Sequence, residues 1–384
     1  MKTLRKFLVA TALLLSSQLV LAANPLIPAA PQIAGKGFLL IDAHSGEVLV
    51  SQNADETLPP ASLTKMMTSY IATHELDKGN ISKDDKVRVS IKAWKTPGSR
   101  MFIKEGTSVV VEDLLRGIII QSGNDASVAM AEFIAGSEDA FADLMNQHAS
   151  LLGMKGTHFM NATGLPSQHH YTTATDLATL ARAIIVEHPQ HYGMYSEQAF
   201  TYNGIRQPNR NKLLWRDKSV DGLKTGHTEE AGYCLVASAE RNGMRLIAVM
   251  LGTKSEEARA TETQKLLTYG FRYYETRKLY NAGEVLKEAK VWGGAEDKVN
   301  LGVAEDVYIT VPRGQYSSLQ PSMEVDEHIV AGVKIGAEYG KVQIKLQDRV
   351  ELEQSLVALD TVEPGGFFKR LWDQLVLFFV KLIS

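Results

Sequence analysis

The chain predicts an α+β fold built on an antiparallel sheet, followed by a small all-β domain and a C-terminal amphipathic helix. Three observations lead there. Strand patterns near residues 37–50 return at 220–251 after a long helical insert. Past residue 285 the texture changes to alternating, half-buried runs. The last eighteen residues divide into a polar and an apolar helical face. At 384 residues the chain exceeds the usual size of a single core, so two domains are expected. With 45% hydrophobic and 22% charged residues it has ample material for both.

Taken in order, residues 1–23 read as a secretory signal peptide. Lys2, Arg5 and Lys6 form its basic region, 7–15 its apolar centre, and Ala22-Ala23 a small-residue exit, with cleavage after one of those two. Residues 24–285 form the first domain. Strands over 37–41 and 47–50 flank the turn His44-Ser45-Gly46. Pro59-Pro60 stops that unit, and 61–74 reads as a helix. From 111 to 186 the pattern is helical, with breaks near Gly123, Gly136 and 153–171. Strand character resumes over 220–224, 232–239 and 245–251, and an amphipathic helix covers 255–277. Residues 286–365 form the all-β domain, with strands at 307–311, 328–335 and 341–346 punctuated by Pro312-Arg313-Gly314 and Gly340. No chemistry-bearing cluster lies in it; a spacing role and a recognition role both remain open.

Residues 366–384 open on the second glycine of the hinge Gly365-Gly366. At 100° per residue, Lys369, Arg370, Asp373, Gln374, Lys381 and Ser384 fall within an arc of about 140°, with only Leu377 and Val380 straying into it. Too short and too charged to span a bilayer, this segment is expected to lie in a membrane interface through 367–384. Lys369, Arg370 and Lys381 would then face anionic headgroups. The alternative is a helix packed on its own domain.

Three strings carry chemistry: Ser62-Leu63-Thr64-Lys65, Ser122-Gly123-Asn124 and Lys224-Thr225-Gly226. Residues three apart on a helix are neighbours, so Ser62 and Lys65 can share one space. Near a helix N-terminus, orphan N–H groups favour developing negative charge at Ser62. The same potential, burial, and a second cation such as Lys224 would lower the Lys65 pKa until it could accept the serine proton. Which group is the acylation base stays open. Ser51-Gln52-Asn53 also fits the second pattern and reads as an ordinary turn; Ser122-Gly123-Asn124 taken alone could be a helix cap.

The strings PASLTKMMT, QSGNDASVAMAE and DGLKTGHTEEAGYCLVAS resemble serine-type D-Ala-D-Ala carboxypeptidases, the low-molecular-mass penicillin-binding proteins of the 5/6 subgroup, over nearly the whole chain. The resemblance implies a β-lactamase/transpeptidase-like domain, its sheet flanked by helices on both sides and its site along one edge strand. It implies Ser62 as nucleophile, Lys65 as general base, and Ser122 and Asn124 as proton relay and amide holder. Lys224, Thr225 and Arg259 would grip a terminal carboxylate beside Gly226, and the N–H groups of Ser62 and His227 would form the oxyanion hole. Arg259 has the alternative of a solvated helix-face residue. Gly123 stands where the common pattern has Asp. Implied partners are peptidoglycan stem peptides, β-lactam antibiotics and the outer face of the cytoplasmic membrane, reached in the periplasm. No cofactor and no metal are implied.

Net charge is −3, which argues against nucleic acid. The one cysteine, Cys234, allows no intrachain disulfide and reads as a buried, inert thiol. His74-Glu75 lacks the second His of a zinc-protease helix, and His169-His170 reads as a surface loop. Thr173 with Asp176 reads as a helix cap. A class A β-lactamase would share the three strings, yet no counterpart of its deacylating Glu motif lies between Ser122 and Lys224. Nothing in the residues specifies an oligomeric state.

Overall fold

The computed structural model describes residues 27–383, so the expected signal peptide lies outside the described residues. Five antiparallel strands form the first sheet, in the spatial order Val48–Gln52, Gly37–Asp42, Met244–Thr253, Gly232–Arg241, Val220–Thr228. Their side chains alternate between two cores. Ile247, Val249 and Leu251 enter one, Leu246, Ala248 and Met250 the other. The first core is shared with the helical insert, the second with the helix Glu256–Tyr273. Both faces are thus covered by helices, as the resemblance implied.

At the centre lies the helix Lys65–Asp77, buried continuously from Lys65 to Thr73. Its polar residues are satisfied locally: Ser69 Oγ donates to the Lys65 carbonyl at 2.8 Å and Thr73 Oγ1 to the Ser69 carbonyl at 3.0 Å. Around it pack Asn124–Ala135, Glu138–Leu151 and Ala174–Glu187. Thr173 caps the last of these by accepting from Asp176 N at 3.0 Å, as expected.

Two expected elements are corrected. The helix read over 255–277 ends at Tyr273, and Tyr274–Tyr280 is a strand paired with Val307–Pro312. The texture change at residue 285 therefore falls inside a unit already under way at 274. The strand read over 328–335 reduces to Ile329–Val330, because Gly332 and Gly336 take positive φ of 96° and 82° and bend the chain out of the ladder. The rest of this part is all β: a six-stranded sheet including Val285–Trp292, Lys298–Gly302, Glu338–Leu346 and Arg349–Ala358, around Val291, Leu301, Val333 and Val362.

The two parts meet at Asp42, which is fully buried. Its Oδ1 accepts from the N–H groups of His44 and Ser45, at 2.9 and 2.8 Å. Its Oδ2 accepts from Thr276 Oγ1 at 2.6 Å, and Thr310 Oγ1 bonds both Thr276 and Ser45. Phe367–Ile383 is helical. Its polar face, not its apolar one, docks on the β part: Asp373 accepts from Gly293 N at 2.8 Å, Lys369 pairs with Asp297 at 2.6 Å, and Leu377 is 9% exposed. Lys369 thus forms an exposed ion pair with the β part. Phe367, Phe368, Leu371, Trp372, Leu375, Phe378, Phe379 and Leu382 remain exposed. Among the described residues no helix is long and apolar enough to cross a membrane.

Candidate active site

After Pro59-Pro60 the chain turns through Ala61, at φ 48°, into a short 3-10 turn Ala61–Thr64 that runs on into the Lys65 helix. Ser62 is half-buried in that turn, and Lys65, with no exposed surface, lies beneath it. Lys65 Nζ has three partners: Ser62 Oγ at 3.2 Å, Asn124 Oδ1 at 2.7 Å and the Thr163 carbonyl at 2.5 Å. Burial is the main force pulling the Lys65 pKa down to about 7. The positive charge of Arg210 adds to it, while Asp125 and Glu138 oppose it.

The second string sits at a break in helical geometry. Gly117–Gln121 forms a π turn, and Ser122 takes the left-handed conformation, φ 63° and ψ 37°. Such a backbone is costly for a residue with a Cβ, and such outliers cluster at functional sites. Here the turn throws Ser122 Oγ inward, 2.9 Å from Lys224 Nζ. Neither Ser122 nor Asn124 caps the helix that follows. Asn124 bridges instead, accepting from Lys65 and donating to the Pro97 carbonyl at 2.6 Å. Gly123 has a local reason: a Cβ there would lie 2.9 Å from Asp125 Oδ1 and 3.1 Å from Met101 N. That carboxylate is in use, accepting from the N–H groups of Met101, Phe102 and Ile103 and so fixing the neighbouring loop.

The third string lies on Val220–Thr228, the outer strand of the sheet. Lys224 is buried, and its pKa is lowered by that burial first, then by the charges of Lys65, Arg210 and Arg259. Thr225 is buried beside it. A Cβ on Gly226 would lie 3.1 Å from the Pro60 carbonyl oxygen and 3.2 Å from Leu63, so glycine lets the strand close on the serine turn. His227 is exposed and stacks on Tyr233, ring centroids 3.9 Å apart. Arg259 is only 4% exposed, donates to the Gly226 carbonyl at 3.3 Å and lies over the Tyr233 ring. A solvated helix-face role is excluded for it.

The structure thus gathers two hydrogen-bonded groups, Ser62–Lys65–Asn124 and Ser122–Lys224, near enough for the Lys65 charge to act on Lys224, with Thr225, Gly226 and Arg259 on the strand side and His227 exposed beside them. Three contributors lie outside the strings. Arg210 is exposed, but its charge reaches both lysines; buried Asn209 and Asn211 brace the backbone on either side of it. Gly164, at φ 81°, faces the Ala61 carbonyl so closely that any Cβ would collide with it. His170 is buried rather than on a surface loop, and its Nε2 bonds Thr64 Oγ1 at 2.9 Å. No spacing pattern flags these residues; they become visible only when the loops close. Ser51 and Gln52 end a strand, exposed on the surface. Cys234 is buried and its thiol pKa is pushed up to about 11 by burial, which keeps it inert. Among the described residues no cluster of His, Cys, Asp and Glu could hold a metal ion.

Chemically the cluster can deliver an alkoxide. A neutral Lys65 has two N–H donors and one lone pair. In that form, with its donors on Asn124 Oδ1 and the Thr163 carbonyl, its lone pair would be left for the Ser62 hydroxyl 3.2 Å away.

Residues 24–255 match the D-alanyl-D-alanine carboxypeptidase family model, and residues 274–364 match the penicillin-binding protein 5 C-terminal domain. The D-alanyl-D-alanine carboxypeptidase DacA of Escherichia coli is 43% identical over 362 residues, covering 92% of this chain and 90% of its own. The crystal structure of penicillin-binding protein 5 from Haemophilus influenzae superposes with a TM-score of 0.83 at 41% identity, covering 88% of this chain and 99% of that one. Penicillin-binding protein D2 from Listeria monocytogenes in its ampicillin-bound form has a TM-score of 0.59 at 31% identity, over 64% of this chain and all of its own.

Proposed function

Since the chain belongs to the D-alanyl-D-alanine carboxypeptidase family, we propose that it removes the terminal D-Ala from peptidoglycan pentapeptide stems through an ester on Ser62. The observation that carries this is the buried Lys65 Nζ, its pKa pulled down to about 7 chiefly by burial, 3.2 Å from Ser62 Oγ. Ser62 Oγ bonds to the penultimate D-Ala carbonyl carbon as its proton passes to Lys65 Nζ. The backbone N–H groups of Ser62 and His227 are assigned to the carbonyl oxygen as it becomes negative. The proton returns through Ser122 to the departing amine as the peptide bond breaks, and water then cleaves the ester, restoring the serine.

Lys224, Thr225 and Arg259 are assigned to the substrate's terminal carboxylate, with Asn124 holding the amide. A carboxylate at Lys224 favours the charged form of that lysine. A charged Lys224 in turn disfavours charge on Lys65, so arrival of the correct substrate would ready the base. Penicillins, which mimic the dipeptide, would acylate the same oxygen. Catalysis in the periplasm is assigned to a protein held at the outer face of the cytoplasmic membrane by its exposed apolar helix face.

The test is D-Ala release from a pentapeptide run beside intact-mass labelling with a β-lactam. Wild-type protein should release D-Ala and gain one drug mass, and Ser62→Ala should do neither. Steady hydrolysis of nitrocefin without lasting label would point to a β-lactamase instead.

A further inference from the structure

Val220–Thr228 is the outer strand of its sheet, so one side of its backbone is open to an added peptide. A peptide laid antiparallel on it, its carboxylate at Lys224 and Thr225, extends upstream past His227 towards Thr228. At that end a cleft of about 570 Å³ opens between the 57–61 segment and the 164–171 loop, closed by Thr228 and Glu230. The cleft is walled by the chain neighbours of site residues. Its wall residue Ala61 precedes Ser62, and its wall residue Gly164 follows Thr163, whose carbonyl holds Lys65.

Leu58, Leu165, Pro166 and Tyr171 give the cleft apolar walls. Glu230 is the single carboxylate among its described lining residues, and it is exposed at the rim. No lysine or arginine is among the described lining residues, and the cleft's two histidines are the exposed His169 and the buried His170. His170 is tied to Thr64, and burial pulls its pKa down to about 4, so it stays neutral. A trough with these apolar walls, polar groups from Thr57, Ser167, Gln168 and Thr228 between them, and one negative charge at its rim is complementary to an alkyl chain ending in a positive charge, and repels a chain ending in a carboxylate.

We propose that this cleft is a specificity subsite for the stem-peptide residue preceding the D-Ala-D-Ala pair, taking an aliphatic side chain whose terminal ammonium pairs with Glu230. The proposal rests on the carboxypeptidase reading above and adds a substrate preference to it.

The experiment compares D-Ala release from two N-acylated peptides of sequence Lys-D-Ala-D-Ala, one with a free side-chain ammonium and one acetylated on Nε, which keeps the alkyl chain and removes the charge. The readout is the ratio of their kcat/KM on a single enzyme, so a general loss of activity in a variant cancels. Wild-type protein should prefer the free ammonium by about 2–5-fold at low salt, the range of an exposed ion pair. The preference should shrink in about 0.5 M salt. Glu230→Gln should bring the ratio near one, and Glu230→Lys should invert it. Equal rates on the two peptides with wild-type protein, or a preference that survives Glu230→Gln, overturns the subsite while leaving the carboxypeptidase reading intact. Failure to release D-Ala from either peptide overturns both.

Discussion

At Lys65 a single nitrogen is asked to be both buried and basic, and burial wins by enough to bring its pKa to about 7. The folded-state pKa is lowered, so the useful neutral form is lost as pH falls. Second-order acylation by a β-lactam should therefore rise about tenfold per pH unit below 7 and level off above about 8. A flat profile between pH 5 and 8 would remove Lys65 as the base. Gly226 gives a second test. A Cβ there presses on Pro60 and Leu63, so Gly226→Ala should part the strand from the serine turn and cut acylation by about 10–100-fold, the fold surviving by circular dichroism. Ser62, both lysines and Asn124 were legible because their spacing is itself the signal. Arg210 was not: Asn209-Arg210-Asn211 has the composition of any turn, and its relation to the lysines arises from folding across the sheet edge.

The π turn before Ser122 is an element whose geometry does what its composition conceals. Gly-Ile-Ile-Ile-Gln looks like ordinary buried helix, yet it ends on a serine with positive φ. Ser122→Gly removes the left-handed penalty and the hydroxyl together, so it should be about 1 kcal/mol more stable to denaturant than Ser122→Ala, both variants having lost D-Ala release. Equal stabilities would show that the turn carries no strain. The same scale explains the two misread elements. Tyr-Glu-Thr-Arg-Lys-Leu-Tyr follows a good helix and shares its residue types, and only its partner strand about thirty residues later makes it extended. The run 328–335 has the composition of a strand, but Gly332 within it and Gly336 just after it bend the chain. Local pattern reports propensity; pairing over distance decides the outcome.

On the scale of the whole molecule, the tail helix docks by its polar side and presents a row of aromatic and aliphatic residues outward. Deleting residues 367–384 should abolish co-sedimentation with anionic vesicles and leave D-Ala release within about twofold. Retained vesicle binding would move the attachment site elsewhere. Its amphipathic period was legible in the sequence, but the side it docks by was not, because Leu377 strays into the polar arc and becomes the contact. At the junction of the two parts, Asp42→Ala would strand the Thr276 and Ser45 donors and should cost about 3 kcal/mol, splitting one calorimetric transition into two. That junction has a mechanical consequence. A pull on the last helix is transmitted through the Asp42–Thr276–Thr310 knot to the central sheet instead of being absorbed by a slack tether. If the last helix lies on a membrane as proposed, the mouth of the cleft keeps one fixed bearing to that plane, and only substrate strands hanging at the matching height and angle enter it.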